Sequence, residues 1–292
     1  VVAPAMHTEM WRHPATTHNM EVLRARGVHV VGPADGVLTG GDSGPGRMSE
    51  PEEIVAAALA LVERPRDLQG LSIVVSAGGT REPIDPVRYL GNRSSGRQGV
   101  AIARAAADRG ADVTLVAAHL DADVRPDARV EVIAAGTAEE LGRTMDAVSP
   151  GADVVIMAAA VADYSLASIA EGKLRKQDFP GALTLELVEN RDIVAGLVER
   201  RRPGQTVVAF AAETVTGDEE LRERARAKAI RKGVDLLAAN AVGWTQGFEA
   251  VDNALTIVDG DGEVVATASG SKDDTAHALL DAVVAARLSG LG

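Results

Sequence analysis

From Leu71 onward the chain repeats one unit: an apolar strand closed by small residues and, in most repeats, a helix after it. The strands read as SIVVSAGG (72–79), DVTLVAA (112–118), VEVIAA (130–135), DVVIMAAA (153–160), TVVAFAAE (206–213) and DLLAAN (235–240). Helices are predicted over Arg97–Arg109, closed by Gly110, over Thr137–Val148, over Asp218–Lys232, stopped by Gly233, and over Ser271–Leu288. A strand without a polar face must be covered on both sides, and parallel neighbours need a crossover between them. The alternation therefore predicts an α/β fold, a doubly wound, mainly parallel sheet with helices on both faces, with DVVIMAAA central. NALTIVDGDGEVVATAS (253–269) reads instead as an antiparallel hairpin appendage turning at Gly260, Asp261 and Gly262. Aromatic residues are only 2% of the chain and glycines number 30, so the core must be Ala, Val, Leu and Ile, packed closely.

Residues 1–50 follow a different, loop-rich rhythm and form a first unit. Residues 51–68 are a helix and linker, and residues 69–292 are the α/β domain. In the first unit, Asn19 to Gly27 predicts a helix and Val28 to Val31 a strand. GPADGVLTGGDSGPGRMSEP (32–51) predicts irregular chain, because so many glycines and prolines resist order unless a ligand or neighbour holds them. Glu50 to Glu63 reads as a helix and Arg64 to Gln69 as a linker carrying Pro65. The chain opens on Val1, and VVAPAM reads as the end of a strand entering a loop, so it is expected to begin within a longer protein.

The net charge of −12 argues against a general nucleic-acid or membrane surface and leaves room for a small anionic substrate held by a few local cations. The absence of cysteine excludes disulfides, iron–sulfur clusters and thiolate catalysis, and fits a cytoplasmic protein. The sequence has no signal peptide and no apolar run long enough to cross a bilayer.

In a doubly wound fold, ligands sit beyond the carboxyl ends of the strands. The first strand is followed by Gly78-Gly79-Thr80-Arg81-Glu82-Pro83, where glycines let backbone N–H groups approach an anion. Adjacent glycines do not make the dinucleotide fingerprint, no P-loop is present, and a plain tight turn reads equally well. RYLGNRSSGRQG (88–99) brings Arg88, Asn92 and Arg93 to a helix start where Ser94, Ser95 and Gly96 can cap and present N–H groups to a phosphate. The central strand exits through Ala158-Ala159-Ala160 to Asp163, a carboxylate suited to a ribose hydroxyl or a metal ion, or equally a helix cap. Lys173, Arg175 and Lys176 form a basic loop that can close over phosphates or simply be solvated. Lys228 and Lys232 lie one turn apart on one helix face, either a clamp for adjacent phosphates or an exposed basic face.

Two motifs are decoys. Gly41-Asp42-Ser43-Gly44-Pro45 resembles the nucleophile segment of trypsin-like proteases, which need an all-β chain. The six histidines show no compact metal-binding spacing.

Taken together, SAGGTREPIDPVRYLGNRSSGRQG, MAAAVADY, the Lys173/Lys176 loop, ENRDIVAG, FAAET, KAIRKGVDLLAAN and DNALTIV resemble the phosphopantothenate–cysteine ligase domain of the bacterial bifunctional coenzyme A biosynthesis protein. The likeness runs in consistent order over about residues 69–286. It implies a Rossmann-like ligase that activates the carboxylate of 4′-phosphopantothenate with CTP and Mg2+, then passes the acyl-cytidylate to the amine of L-cysteine. It implies that Asn92 and Lys173 are catalytic. Ala158, Ala159, Asp163, Lys173, Arg191, Asp192, Ile193, Val194, Phe210, Lys228 and Lys232 would contact the nucleotide. Gly79, Thr80, Arg88, Asn92, Ser94, Ser95, Gly96, Ala159 and Ala160 would contact the acid or its acyl intermediate. Arg191 departs from the Pro of many relatives. The resemblance names no metal ligand, and it implies a homodimer and a larger assembly with an intact decarboxylase domain.

Residues 1–50, through PAMHTEMWRHPAT and GPGRMSEP, resemble the C-terminal part of the phosphopantothenoylcysteine decarboxylase flavoprotein, with His7 in place of the usual Asn and no flap cysteine. The chain alone is expected to bind no FMN and not to decarboxylate; stoichiometric FMN on the purified chain contradicts this. Two other classes fit the same pattern: a nicotinamide-dependent oxidoreductase, which would bind NAD(P)H and not CTP, and a non-catalytic nucleotide-binding module, which would bind CTP without turnover.

Overall fold

The computed structural model describes every residue except 27, 39, 41–42, 63–64, 244–251 and 291–292. It resolves into two compact units, Val1–Pro65 and Arg66–Gly292. The predicted helix stop Gly27, the protease-like Gly41 and Asp42, Glu63 and Arg64 lie outside the described residues.

In the first unit, α1 (Thr8–Trp11) and α2 (Pro14–Ala25) precede an antiparallel pair, β1 (Ala34–Val37) and β2 (Ser43–Arg47), and α3 (Pro51–Val62). The second helix begins at Pro14, five residues before the expected Asn19. Proline suits the first helical turn, and a ring nitrogen of His13 caps it by accepting from the Ala15 N–H at 3.2 Å. The expected strand at Val28–Val31 reduces to one parallel bridge between Val2 and Val30. The Gly/Pro-rich stretch is ordered by a neighbour. The Met6 N–H donates to the Gly46 carbonyl at 2.9 Å, and a Cβ on Gly46 would lie 2.1 Å from the Met6 carbonyl oxygen. Only glycine admits that approach.

The second unit is built on an eight-stranded sheet. Its strands are β3 (Ser72–Ala77), β6 (Asp112–Ala117), β7 (Glu131–Ala134), β8 (Val154–Met157), β11 (Thr206–Glu213), β12 (Leu236–Ala241), β13 (Asp252–Asp259) and β14 (Val264–Ser271). Two short ribbons stand apart, β4 (Arg81–Pro83) with β5 (Tyr89–Gly91), and β9 (Tyr164–Leu166) with β10 (Leu187–Glu189). The helices are α4 (Arg97–Asp108), α5 (Ala138–Val148), α6 (Ile193–Glu199), α7 (Asp218–Lys232) and α8 (Lys272–Leu288).

Across the sheet the order is β7-β6-β3-β8-β11-β12-β13-β14. The first six are mutually parallel; β13 and β14 are antiparallel. The chain winds outward from β3 to β7, returns to β8 and winds the other way. This is the doubly wound α/β class, with its switch point between β3 and β8. Ile73 and Val75 face one side with α4 and α8, while Val74 faces the other with α5 and α6, as strand alternation requires. β8 is buried along its whole length. The hairpin expected as an appendage extends the same sheet beside β12. The two ribbons leave no strand signal in the sequence, because three-residue, half-exposed strands have no periodicity to detect.

Local signals placed the helix ends. Thr137 and Glu140 form a capping box on α5, and Gly233 takes the left-handed conformation, φ 66°, that ends α7.

The fold is tied at its base by Arg109, which is only 2% exposed. Its guanidinium donates to Asp67 at 2.6 and 2.8 Å and to Asp281 at 2.7 Å, joining the start of the unit, the end of α4 and α8. The hydrogen bond from Arg109 holds the Asp67 carboxyl below the usual carboxylate range, against the opposing effect of burial. A carboxylate lowered in the folded state stabilises above its unfolded pKa and loses that contribution as pH falls through the folded one. Arg109→Met is expected to cost roughly 3 kcal/mol, at the lower end for breaking a buried pair because both acids reach solvent. In urea unfolding followed by far-ultraviolet circular dichroism, the parent should lose its advantage over the variant below about pH 4.

Candidate functional site

The carboxyl ends of β3 and β8 diverge at the switch point, and the residues after them are stitched across the gap. The Ala160 N–H donates to Gly78 at 2.8 Å, and the Thr80 N–H returns a bond to Ala160 at 3.1 Å. The Ser76 hydroxyl accepts from the Ala159 N–H at 3.1 Å, and the Thr80 hydroxyl from the Ala162 N–H at 2.9 Å. Backbone that has left the sheet thus finds new partners at these positions, as burial demands. Gly99 lets α4 lie flush on β3, since a Cβ there would stand 2.5 Å from the Ala77 Cβ. Gly96, at φ 79°, caps α4 where a Cβ would meet Leu120 at 2.2 Å.

Beyond these strand ends lies a cavity of about 670 Å³. Its floor is Ala158, Ala159 and Ala160 with Phe210 and Asn240 from the neighbouring strand ends. One rim is Asn92, Ser94, Ser95, Gly96 and Arg97 at the start of α4, together with Lys272 at the start of α8. The other is Asp163, Arg191, Asp192, Ile193 and Val194 at the start of α6, with Lys228 and Lys232 from α7. The Asn92 amide donates to the Val161 carbonyl at 2.9 Å, and the Asn190 amide to Ala162 at 2.9 Å, so two side-chain amides brace the mouth.

The two lysines are ion-paired. Lys228 Nζ sits 3.0 Å from Glu213, and Lys232 pairs with Asp192. Asp192 also caps α6, accepting from the Ala195 N–H at 3.0 Å. Burial opposes its charge, but Lys232 and the α6 N–H groups prevail and hold its carboxyl below the ordinary value. The expected phosphate clamp is therefore a half-neutralised, preset pair of ammonium groups. Asp163 is not a helix cap; its carbonyl accepts from the Asn190 N–H at 2.8 Å, and its side chain is exposed at the mouth.

Four expected residues fall outside the cavity wall: Gly79, Thr80, Arg88 and Lys173. The Gly79 N–H is engaged by the His119 carbonyl at 3.1 Å, so it is not open to an anion. Thr80 is fully buried, its hydroxyl tied to Ala162. Arg88 serves the loop that carries Lys173: it binds the Asp85 carboxylate through Nε at 3.0 Å and also the Leu174 carbonyl. Asp85 further accepts from the N–H groups of Val87, Arg88 and Leu174 at 2.7, 2.8 and 3.1 Å. Burial opposes its charge, but these donors lower its pKa to about 2. Lys173 is exposed, next to an anchored residue rather than in a wholly free loop. Ser94 and Ser95 line the cavity, yet the α4 cap is Gly96, with the Ser95 hydroxyl only 3.5 Å from the Arg97 N–H.

Reading the sequence missed Asp85, Asn190, Asn240, Arg97 and Lys272. Asn240 carried a signal, a polar residue ending an apolar strand. Asp85, before Pro86, carried a turn signal.

A crevice at the switch point, cationic on two rims, places this unit among doubly wound α/β domains, whose ligand sites lie beyond the carboxyl ends of the strands. The comparisons assign the family. The model for the DNA/pantothenate metabolism flavoprotein C-terminal domain matches residues 68–286, and the chain belongs to that family. The Flavoprotein family model matches residues 1–63. The coenzyme A biosynthesis bifunctional protein CoaBC of Mycobacterium tuberculosis strain H37Rv is 50% identical over 291 residues, 97% of this chain and 69% of that protein. The crystal structure of the C-terminal domain of a CoaBC protein superposes with a TM-score of 0.60 at 30% identity, covering 75% of this chain and 97% of that one. A Cab2 mutant in complex with phosphopantothenate-cysteine shares the fold, at 14% identity and a TM-score of 0.59, over 82% of this chain and 91% of that one.

These matches correct one expectation. Residues 1–50 were set apart as the tail of a decarboxylase domain ahead of a ligase domain. The flavoprotein match instead runs to residue 63, and the bifunctional relative aligns over 97% of the chain. What the chain shares with its relatives is therefore both segments together, not a ligase domain carrying a 50-residue remnant.

The Asp85 anchor predicts a local effect. Asp85→Asn removes the charge that gathers four donors, so trypsin cleavage at Lys173, Arg175 and Lys176 should quicken about tenfold, while global unfolding changes little.

Proposed function

We propose that the second unit is a CTP-dependent ligase joining 4′-phosphopantothenate to L-cysteine in coenzyme A biosynthesis. The observation that carries this reading is one cavity with Asn92 and the Ala158–Ala160 floor on one side and the Lys228/Lys232 pair on the other. A cavity of about 670 Å³ has room for two reactants side by side, as a two-step acyl transfer requires. The names of the bifunctional relatives and the product-like molecule bound by the Cab2 fold neighbour support the same chemistry.

In the first step, a carboxylate oxygen of the acid attacks the α-phosphorus of CTP, the bond to the β-phosphate breaks, and pyrophosphate leaves. In the second, the amine of cysteine attacks the acyl carbon, loses a proton, and CMP leaves. A carboxylate is a poor acyl donor, so the cytidylate supplies the leaving group. Both steps gather anions, and cations preset at the strand ends stabilise them without reorganisation. Lys228 and Lys232 sit where triphosphate oxygens would share them with Glu213 and Asp192. The flat alanine floor admits the acyl chain, and Phe210 offers an apolar face to the nucleotide. Asn92, braced by Val161, is the neutral donor beside the acyl group. Lys173, exposed on the loop anchored at Leu174, would have to swing in when the nucleotide binds.

Among the described residues no cluster of three metal-ligating side chains is present. That fits Mg2+ carried in on the triphosphate, which needs one or two hard oxygen ligands from the protein; Asp163, with no side-chain partner among the described residues, is the available carboxylate. When bound, the ion would neutralise triphosphate charge.

The test is pyrophosphate release from CTP with Mg2+ and 4′-phosphopantothenate, with and without cysteine. Release should require the acid, and CMP should appear only with cysteine. Asn92→Asp should keep the first half-reaction, accumulate acyl-cytidylate and lower overall kcat about a hundredfold. Lys173→Gln should slow activation itself. Parent-like turnover by both variants would refute the site assignment.

A further inference from the structure

The cavity rim at Asp192, Ile193 and Val194 is carried by α6, the shortest α-helix of the second unit. It has seven residues, about two turns, with Gly196 in its middle. A helix that short is marginal on its own, and an interior glycine weakens it further. Its stance must come from its neighbours. One face is packed: Ile193 and Leu197 share an apolar cluster with Leu141 and Met145 of α5. Apolar contact is non-directional, so it holds the two helices together without fixing the register of one along the other.

A single carboxylate supplies the register. Asp146 of α5 accepts from the Arg191 guanidinium at 2.8 Å and also from that of Arg200. Arg191 lies two residues before α6 and Arg200 directly after it, so one side chain ties both ends of the helix. Both arginines lie beside a glycine. A Cβ on Gly142 would stand 3.0 Å from Arg191 Nη2, and one on Gly196 would stand 3.0 Å from Arg200 Nη2. Gly142 and Asp146 are four residues apart on one face of α5, and Gly196 and Arg200 have the same spacing at the end of α6. Two helix-interior glycines, each unfavourable to its helix, therefore stand where a guanidinium has to pass.

We propose that Asp146 is a positioning residue for the nucleotide half of the site. This deepens the ligase reading and rests on it for the identity of the nucleotide. Asp146 does not line the cavity; it acts through Arg191, which does. Arg191 precedes Asp192, and Asp192 both caps α6 and holds Lys232. Asp146, Arg191, Asp192 and Lys232 thus form one chain of contacts from α5 to the cavity wall. Asn92, on the other rim, is braced from Val161 instead. With the link at Asp146 cut, ordering the start of α6 and the Lys232 ammonium is left to the bound nucleotide. That ordering weighs on nucleotide binding, not on the chemical step. The side chains of Asp146, Arg191 and Arg200 are 30%, 53% and 49% exposed, so the effect is that of a solvent-screened network and not of a buried pair.

The test uses the full chain, with Asp146→Asn and Arg191→Met singly and together, and with the charge-keeping Asp146→Glu. CTP binding in the presence of Mg2+ is measured by calorimetry, and KM and kcat are measured in turnover. Asp146→Asn should weaken CTP binding and raise KM for CTP about three- to fivefold, leaving kcat and KM for 4′-phosphopantothenate within about twofold. Asp146→Glu should recover part of the loss. The double variant should bind CTP little worse than Arg191→Met alone, because the two residues act as one unit. A purely structural role would instead lower the folded fraction, and with it kcat, at unchanged KM. That result, or losses from Asp146→Asn and Arg191→Met that add in full, would overturn the proposal. Unchanged CTP binding by Asp146→Asn beside a parent that turns over would overturn it and leave the ligase reading standing. An Asp146-dependent loss of CTP binding in a chain that makes no product would keep the positioning role and refute the ligase reading alone.

Discussion

Everything in the larger unit depends on how the chain leaves the sheet at β3 and β8. Two parallel neighbours whose connections run to opposite faces must open a crevice between their carboxyl ends. The backbone entering that crevice loses its ladder partners and cannot remain unpaired. Ser76 and Thr80, at and just past the end of β3, take up the N–H groups of Ala159 and Ala162, while the Gly78 carbonyl accepts from the Ala160 N–H. Those three links hold an alanine floor in place beneath the cavity.

The rims inherit their charge from the same geometry. Helices that follow these strands start or end at the mouth, so their termini and first or last side chains point into it. On the α6/α7 side the cations are matched by Asp192 and Glu213, giving a pair of lysines already positioned and partly neutralised. On the α4/α8 side Arg97 pairs with Asp123, and among the described residues no ion pair is formed by Lys272. The asymmetry gives the two ends of the cavity different electrostatic surroundings.

Much of this was legible from residue order. Apolar strands closed by small residues, and Gly233 or Thr137 at helix ends, located the sheet and its helices because periodicity and capping are local effects. Asn92, Ala158–Ala160, Phe210, Lys228 and Lys232 were legible as residues following strands or sharing a helix face, and the structure brings them to one cavity. The Pro14 start of α2 was available and overlooked. The three-residue ribbons were not readable, because their pairing is set by partners rather than by any pattern of their own.

The sequence by itself determined the order of strands and helices, the apolar centre at DVVIMAAA and the small residues at the strand exits. Each follows from interactions between residues close in the chain, or from the bare need to bury an apolar strand. Only the tertiary structure decided which polar groups remain open to a ligand. Thr80 and the Gly79 N–H, apparent anion contacts in the sequence, are taken up by residues far along the chain, at Ala162 and His119. Arg88 is taken up by Asp85 and Leu174. Lys272, unremarkable at the start of a helix 174 residues beyond Gln98, becomes part of the cavity only because α8 packs beside α4. Hydrogen-bond and charge satisfaction depend on spatial neighbours, and those are fixed by how the sheet is wound.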